Sequence, residues 1–172
     1  MMLLEAQQFC RHIAQSIRPY CRQVEIVGEV RREVSEVKAL VLVAVPITND
    51  LEKLRALRDL VNSRWGKPVQ AFPALKTEIK GEPSIIFHWP TQAMYGWAVF
   101  EHTGPLDFVG RARSHWSRIS GGGYIQECRL YLPNQEAVET PAEADVFAAL
   151  KSPFIAPVQR TESPNYAENP TA

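Results

Sequence analysis

Val27-Gly28-Glu29-Val30-Arg31-Arg32-Glu33-Val34-Ser35-Glu36-Val37-Lys38-Ala39-Leu40-Val41-Leu42-Val43-Ala44-Val45-Pro46 is the stretch on which the reading of this chain turns. Gly28 marks a backbone turn, Arg31 and Arg32 form a basic pair, and Val37 to Val45 is apolar at nearly every position. A run of that kind suits a central strand buried on both faces, ending at Pro46. Residues two apart on a strand face the same side. Ala39 and Val41 therefore present a methyl and an isopropyl group to one surface.

Working outward, Leu3, Ala6, Phe9, Cys10, Ile13, Ala14 and Ile17 fall on one helical face, which predicts an opening amphipathic helix closed by Pro19. Val24 to Val27 reads as a short strand feeding Gly28. Asn49 and Glu52 form a capping-box pattern for a helix that continues through Leu57 and Val61 and stops near Gly66. Val69 to Phe72, Thr77 to Lys80 and Ser84 to Trp89 read as further strands. Thr91 to Phe100 and Pro105 to Arg118 read as helices, the second starting at its proline. After the flexible Gly121-Gly122-Gly123, Tyr124–Gln126 and Arg129–Leu132 predict a hairpin, with a later turn at Pro133-Asn134. Thr140-Pro141-Ala142-Glu143 has the composition of a helix start, with a helix running to Leu150. From Val158 the chain is polar, holds two prolines and shows no periodicity, so 158–172 reads as a disordered tail. No internal repeat or low-complexity tract is found.

The chain has 172 residues, 45% of them hydrophobic and 22% charged, within the range of an ordinary soluble globular protein. Its 19 lysines and arginines equal its 19 acids, so the formal net charge is zero. Proteins that hold DNA mainly through phosphates usually carry a positive excess, so any nucleic-acid contact must come from a local cluster. Cys10, Cys21 and Cys128 have no metal-ligand spacing and read as free thiols in a reducing compartment. Glu5 interrupts the first apolar residues too early for a signal peptide, and no run approaches the ~20 residues of a membrane span. The expectation is a cytoplasmic protein without a membrane partner.

The frame of residues 27–46 resembles the motif of the DNA polymerase X (polymerase β-like) family, where Gly-Ser-x-Arg-Arg leads into Gly-Asp-x-Asp or Lys-Asp-x-Glu. The likeness extends through Glu5-Ala6 to Arg18-Pro19, Tyr95-Gly96-Trp97, His102-Thr103-Gly104-Pro105, and Glu143 to Pro157, reaching Arg160. Each piece is weak alone, and their shared order is more specific. The resemblance implies a mixed α/β (α+β) fold: a nucleotidyltransferase palm over 1–100 and a small nucleotide-binding-like helix–hairpin subdomain over 101–157. It resembles the minimal form of the family, without the lyase domain, so lyase activity is not expected.

The departures matter more than the likeness. Nucleotidyl transfer uses two divalent ions about 3.5–4 Å apart, and magnesium takes hard oxygen ligands. Ala39 and Val41 stand at the family's first two carboxylates, and Ile85, in Pro83-Ser84-Ile85-Ile86-Phe87, at the third. The resemblance therefore implies an inactive protein with no cofactor; magnesium enters only if Glu36, Glu78 or Glu82 serves as a surrogate acid in an active enzyme. Glu29 replaces the phosphate-binding serine with a negative charge. Gly28, Arg32 and Lys38 remain as vestigial phosphate or nucleotide ligands, although Arg31 and Arg32 also suit surface pairs with Glu25, Glu29 or Glu33.

The main nucleic-acid candidate is Arg111-Ala112-Arg113-Ser114-His115-Trp116-Ser117-Arg118, where Arg111, Arg113 and Arg118 accompany an aromatic residue without an acid. The same pattern suits a helix with Trp116 packed inward and its arginines in water. Val109 stands where polymerase β-like members carry an asparagine facing the base. His88, His102 and His115 show no metal spacing and, with Ser114 or Ser117, form no nucleophile pair. The expected partners are DNA or a nucleotide, held weakly, or another protein.

Overall fold

The computed structural model describes residues 1–65 and 76–160 of the chain, which is a mixed α+β protein. The expected strand over Val69–Phe72, the helix stop at Gly66 and the last twelve residues of the expected tail lie outside the described residues. The chain divides into two compact units, Met1–Thr91 and Gln92–Ala172. Tyr95–Thr103 thus groups with the later residues, a division earlier than the expected boundary after residue 100.

In the first unit the order is α1 (Leu3–Ile17), β1 (Cys21–Val27), α2 (Gly28–Arg31), β2 (Ala39–Pro46), α3 (Leu51–Trp65), β3 (Lys76–Ile79) and β4 (Ser84–His88). The sheet order is β1-β2-β4-β3: β1 runs antiparallel to β2, β2 parallel to β4, and β3 antiparallel to β4. β2 is thus an interior strand, as its unbroken apolar run requires. Ala6, Cys10, Ile13, Ala14 and Ile17 of α1 join Leu40, Leu42, Ala44, Ile85 and Phe87 in one core. Burying each leucine, isoleucine or phenylalanine among them stabilises by about 1.5–3 kcal/mol, so this face, not local propensity, holds the helix and fixes the strand register. Phe87 stacks on Trp89 at 5.1 Å, and the buried Trp89 Nε1–H donates to Thr77 Oγ1 at 2.9 Å.

Two boundaries differ from the sequence pattern. β1 begins at Cys21, because its ladder with β2 continues past Val24 through an irregularity between Cys21 and Gln23. The cap of α3 is Asp50, whose Oδ1 accepts the Lys53 N–H at 3.0 Å; Asn49 instead accepts from Arg22 at 3.2 Å.

The second unit contains α4 (Tyr95–Thr103), α5 (Leu106–Ile119), the hairpin strands β5 (Tyr124–Gln126) and β6 (Arg129–Tyr131), β7 (Ala137–Val138) and α6 (Glu143–Ala149). The strands form one antiparallel sheet in sequence order. Its core is aromatic: Phe100 lies 5.1 Å from Trp97, 5.4 Å from Phe108 and 5.3 Å from Phe147, ring centre to ring centre. Gly104–Pro105 is a cis peptide.

Two expectations for this unit are corrected. Thr140 does not cap α6. Its Oγ1 accepts the Trp97 N–H at 3.2 Å and its carbonyl the Gly96 N–H at 2.6 Å, so it caps α4 from across the unit. α6 begins at Glu143, with the Ala142 N–H bound by Asp145 at 2.7 Å. Nor does a disordered tail begin at Val158. Pro157–Gln159 forms a 3-10 turn that delivers Arg160 into the core, its guanidinium 2.8 Å from Glu143 and 5.3–6.0 Å from the rings of Phe100, Phe108, Phe147 and Phe154.

Candidate functional site

The strand register decides which side chains share a surface. Val27, Val41, Ile86 and Glu78 form one lateral row across the first unit's sheet, and Ala39 pairs with Ser84 one step away. Paired residues lie on the same face, so Ala39 and Val41 are brought together as expected. Ile85 is not brought to them. It pairs with Leu40 on the opposite face and is buried with Leu42 and Phe87. The residue beside Val41 is Ile86, one position later. Three apolar side chains, Ala39, Val41 and Ile86, therefore adjoin on this face.

Of the possible surrogate acids, Glu78 shares this face. Strands are spaced about 4.8 Å apart, which puts Glu78 two strands, or roughly 10 Å, from Val41. Its carboxylate is 2.9 Å from Lys76, whose hydrogen bond and charge hold it below the usual carboxylate range. Glu36 and Glu82 line a surface cleft of about 660 Å³ with Glu5, Lys38 and Ser84, the last of these paired with Ala39. Among the described residues, no group of three metal-ligating side chains converges in the first unit.

The turn before β2 is closed by its own acid. Gly28 has φ 68°, a left-handed conformation that glycine adopts without a Cβ penalty. This lets Glu29 reach forward: its Oε2 accepts the Lys38 N–H at 2.6 Å and its carbonyl the Val34 N–H at 3.0 Å. Arg31 lies 3.3 Å from Glu25. Burial lowers the Arg32 guanidinium from its ordinary value, while the Glu29 charge opposes that shift. An incoming phosphate would meet the Glu29 carboxylate in the same turn.

On α5 the three candidate arginines separate. Trp116 is buried, and its Nε1–H donates to the Tyr131 carbonyl at 3.2 Å. Arg113 pairs with Glu101 and lies 5.6 Å over the Trp97 ring. Arg111 and Arg118, seven residues apart, share one face about 10.5 Å apart along the axis. Arg118 donates to His115 Nδ1 at 3.0 Å, while His115 Nε2 is 3.0 Å from the Leu150 carbonyl. Arg111 lines an open cleft of about 750 Å³ with Glu101, His102, Asp107 and Ser114. Its Nε and Nη2 are buried and find no acceptor among the described residues. Val109 is buried in the core of this unit.

A further group escaped the sequence pattern. Glu101 and His102 of α4 converge with Cys128 from the β5–β6 turn, their donor atoms within 4.8 Å of one another. Only the hairpin brings position 128 back to 101, so spacing along the chain gives no signal. Burial and then the Glu101 charge push the Cys128 thiol up to about 12, so it is not a thiolate nucleophile at neutral pH. Burial alone does the same for Cys10 and Cys21.

No helix among the described residues is long and apolar enough to cross a membrane. No protein-family model matches the chain, and no curated protein matches it.

Proposed function

We propose that this chain is a catalytically inactive nucleotidyltransferase-fold protein of polymerase β-like type, serving as a DNA-binding or assembly module. The observation that carries this reading is the contiguous Ala39, Val41 and Ile86 surface on β2 and β4. Methyl, isopropyl and sec-butyl groups supply no oxygen to magnesium, and Glu29 is already engaged by the Lys38 N–H. The reading survives the exchange of Ile85 for Ile86, since neither is acidic.

The carboxylate geometry has a direct test. A triple variant, Ala39→Asp, Val41→Glu and Ile86→Asp, should bind manganese in a paramagnetic titration, while the wild-type first unit gives no magnesium- or manganese-dependent change in its backbone amide spectrum. Two tightly bound magnesium ions on the wild-type β2–β4 face would sink the inactive reading.

The nucleic-acid surface would be the Arg111 and Arg118 face of α5. Arg111 lines an open cleft and Arg118 is exposed, and a phosphate oxygen is a suitable partner for either guanidinium. Two phosphate contacts give a salt slope of about −1.8. Affinity for a gapped DNA duplex should then fall about tenfold between 50 and 200 mM salt, and the Arg111→Ala/Arg118→Ala variant should lose that dependence. Magnesium and nucleotide should change nothing. Primer extension, or binding strengthened by magnesium with nucleotide, would favour an active enzyme using a surrogate such as Glu78. No binding at either salt would favour a protein-interaction subunit, a reading in keeping with the zero net charge.

A further inference from the structure

We propose that Glu101, His102 and Cys128 form a binding site for a zinc-class divalent cation within the second unit. The donors are a carboxylate, an imidazole and a thiol, and their ligand atoms lie within 4.8 Å of one another. Zinc bonds of about 2.0–2.3 Å in a tetrahedron place donors about 3.3–3.8 Å apart. Closing the group requires movements of about 1 Å, within reach of side-chain torsions. This donor set selects zinc or cobalt over magnesium and calcium, which take oxygen ligands.

The surroundings hold the carboxylate in place. Arg113 pairs with Glu101 Oε1, and the Trp97 Nε1–H binds Oε2 at 2.9 Å. Outer partners of this kind orient the ligands of zinc sites. The remaining lone pair of Oε2 meets the Cys128 thiol, 3.5 Å away. A cation would take the place of the thiol proton: the S–H bond breaks, a sulfur–metal bond forms, and the proton leaves to solvent without any change of oxidation state. Thiolate and carboxylate together bring two negative charges, one of which Arg113 offsets. Affinity is therefore set below that of a four-ligand structural site.

The turn adds a second observation. Glu127 and Cys128 have φ 49° and 58°, the paired left-handed conformation of a two-residue hairpin loop that asparagine and glycine ordinarily occupy. A cysteine held where glycine is easier places its sulfur against Glu101. Three protein ligands leave a fourth position, and because all three residues are partly exposed, water or a small anion can enter it from the adjoining cleft.

The test is a cobalt titration of the full chain, freed of metal and kept reduced. One equivalent should bind and give a near-ultraviolet sulfur-to-cobalt charge-transfer band with the visible bands of four-coordinate cobalt, and zinc should displace it. Cys128→Ser should abolish the charge-transfer band, His102→Gln should weaken binding at least tenfold, and Cys21→Ser should leave both unchanged. Zinc should also raise the melting temperature of the wild type and not of Cys128→Ser. A wild type that binds no cobalt overturns the site, as does a band that persists in Cys128→Ser. The outcome does not depend on whether the protein binds DNA.

Discussion

Replacing Arg160 with alanine is expected to destabilise the second unit by about 3–5 kcal/mol. The guanidinium is fully enclosed, 2.8 Å from a Glu143 carboxylate that is itself only 8% exposed, and its Nε–H donates to the Ile155 carbonyl at 3.1 Å. Removing it leaves a buried carboxylate uncompensated and opens a void between four phenylalanine rings. The reverse change, Glu143→Ala, should cost less, because the stranded guanidinium retains the ring faces of Phe100, Phe108, Phe147 and Phe154, each worth about 0.5–2 kcal/mol. Arg160→Met with Glu143→Leu should be milder than Arg160→Ala alone, since an apolar pair of similar volume removes both charges together. Urea denaturation, with hydrogen exchange on α6 to isolate this unit, measures all three. A loss below about 1 kcal/mol for Arg160→Ala would mean that the pair is not closed in solution.

Gly96→Ala is expected to destabilise the same unit by about 2–4 kcal/mol, against the direction that helix propensity predicts. Alanine is better than glycine inside a helix by about 0.8–1.0 kcal/mol. At position 96, however, a Cβ would collide with the Ala142 and Thr140 carbonyls. α4 would have to move away, stretching the Gly96 and Trp97 N–H bonds to Thr140. Gly110 supplies the control. It lies within α5 with nothing in the path of an added Cβ, so Gly110→Ala should stabilise by about 0.5–1 kcal/mol. Opposite signs at two helical glycines separate close approach from propensity. If Gly96→Ala melts at or above the wild-type temperature, α4 does not pack on that segment as described.

Much of the fold could be read from local pattern because its elements are set by burial period. β2 declared itself as interior through an unbroken apolar run, and α1 through residues spaced for one helical face. Pattern failed where distant chain competes for a group that also has a local use. Thr140-Pro141 has the composition of a helix start, yet the threonine hydroxyl serves Trp97. Arg160, followed by polar residues, looks solvated in sequence, and four rings contributed by separate segments leave no local mark of the cage around it. The candidate site was hard to read for a different reason. On a strand a shift of one residue exchanges faces, and only the register shows that Ile86 lies beside Val41 while Ile85 pairs with Leu40 in the core. Arg31 and Trp116 behaved as ordinary packing predicts, the first beside Glu25 and the second buried.

The Thr140 cap on α4 also bears on the order in which the chain can fold during synthesis. α4 is made first, but the group that satisfies its Trp97 N–H lies 43 residues later. Until that segment emerges, the first turn of the helix has only water for its leading amides, and Phe100 has neither Phe147 nor Arg160 to pack against. Short helices without such partners are marginal. The cap on the second unit's first helix is completed only by the segment at Thr140, and Arg160 reaches the rings of Phe100, Phe108, Phe147 and Phe154 later still.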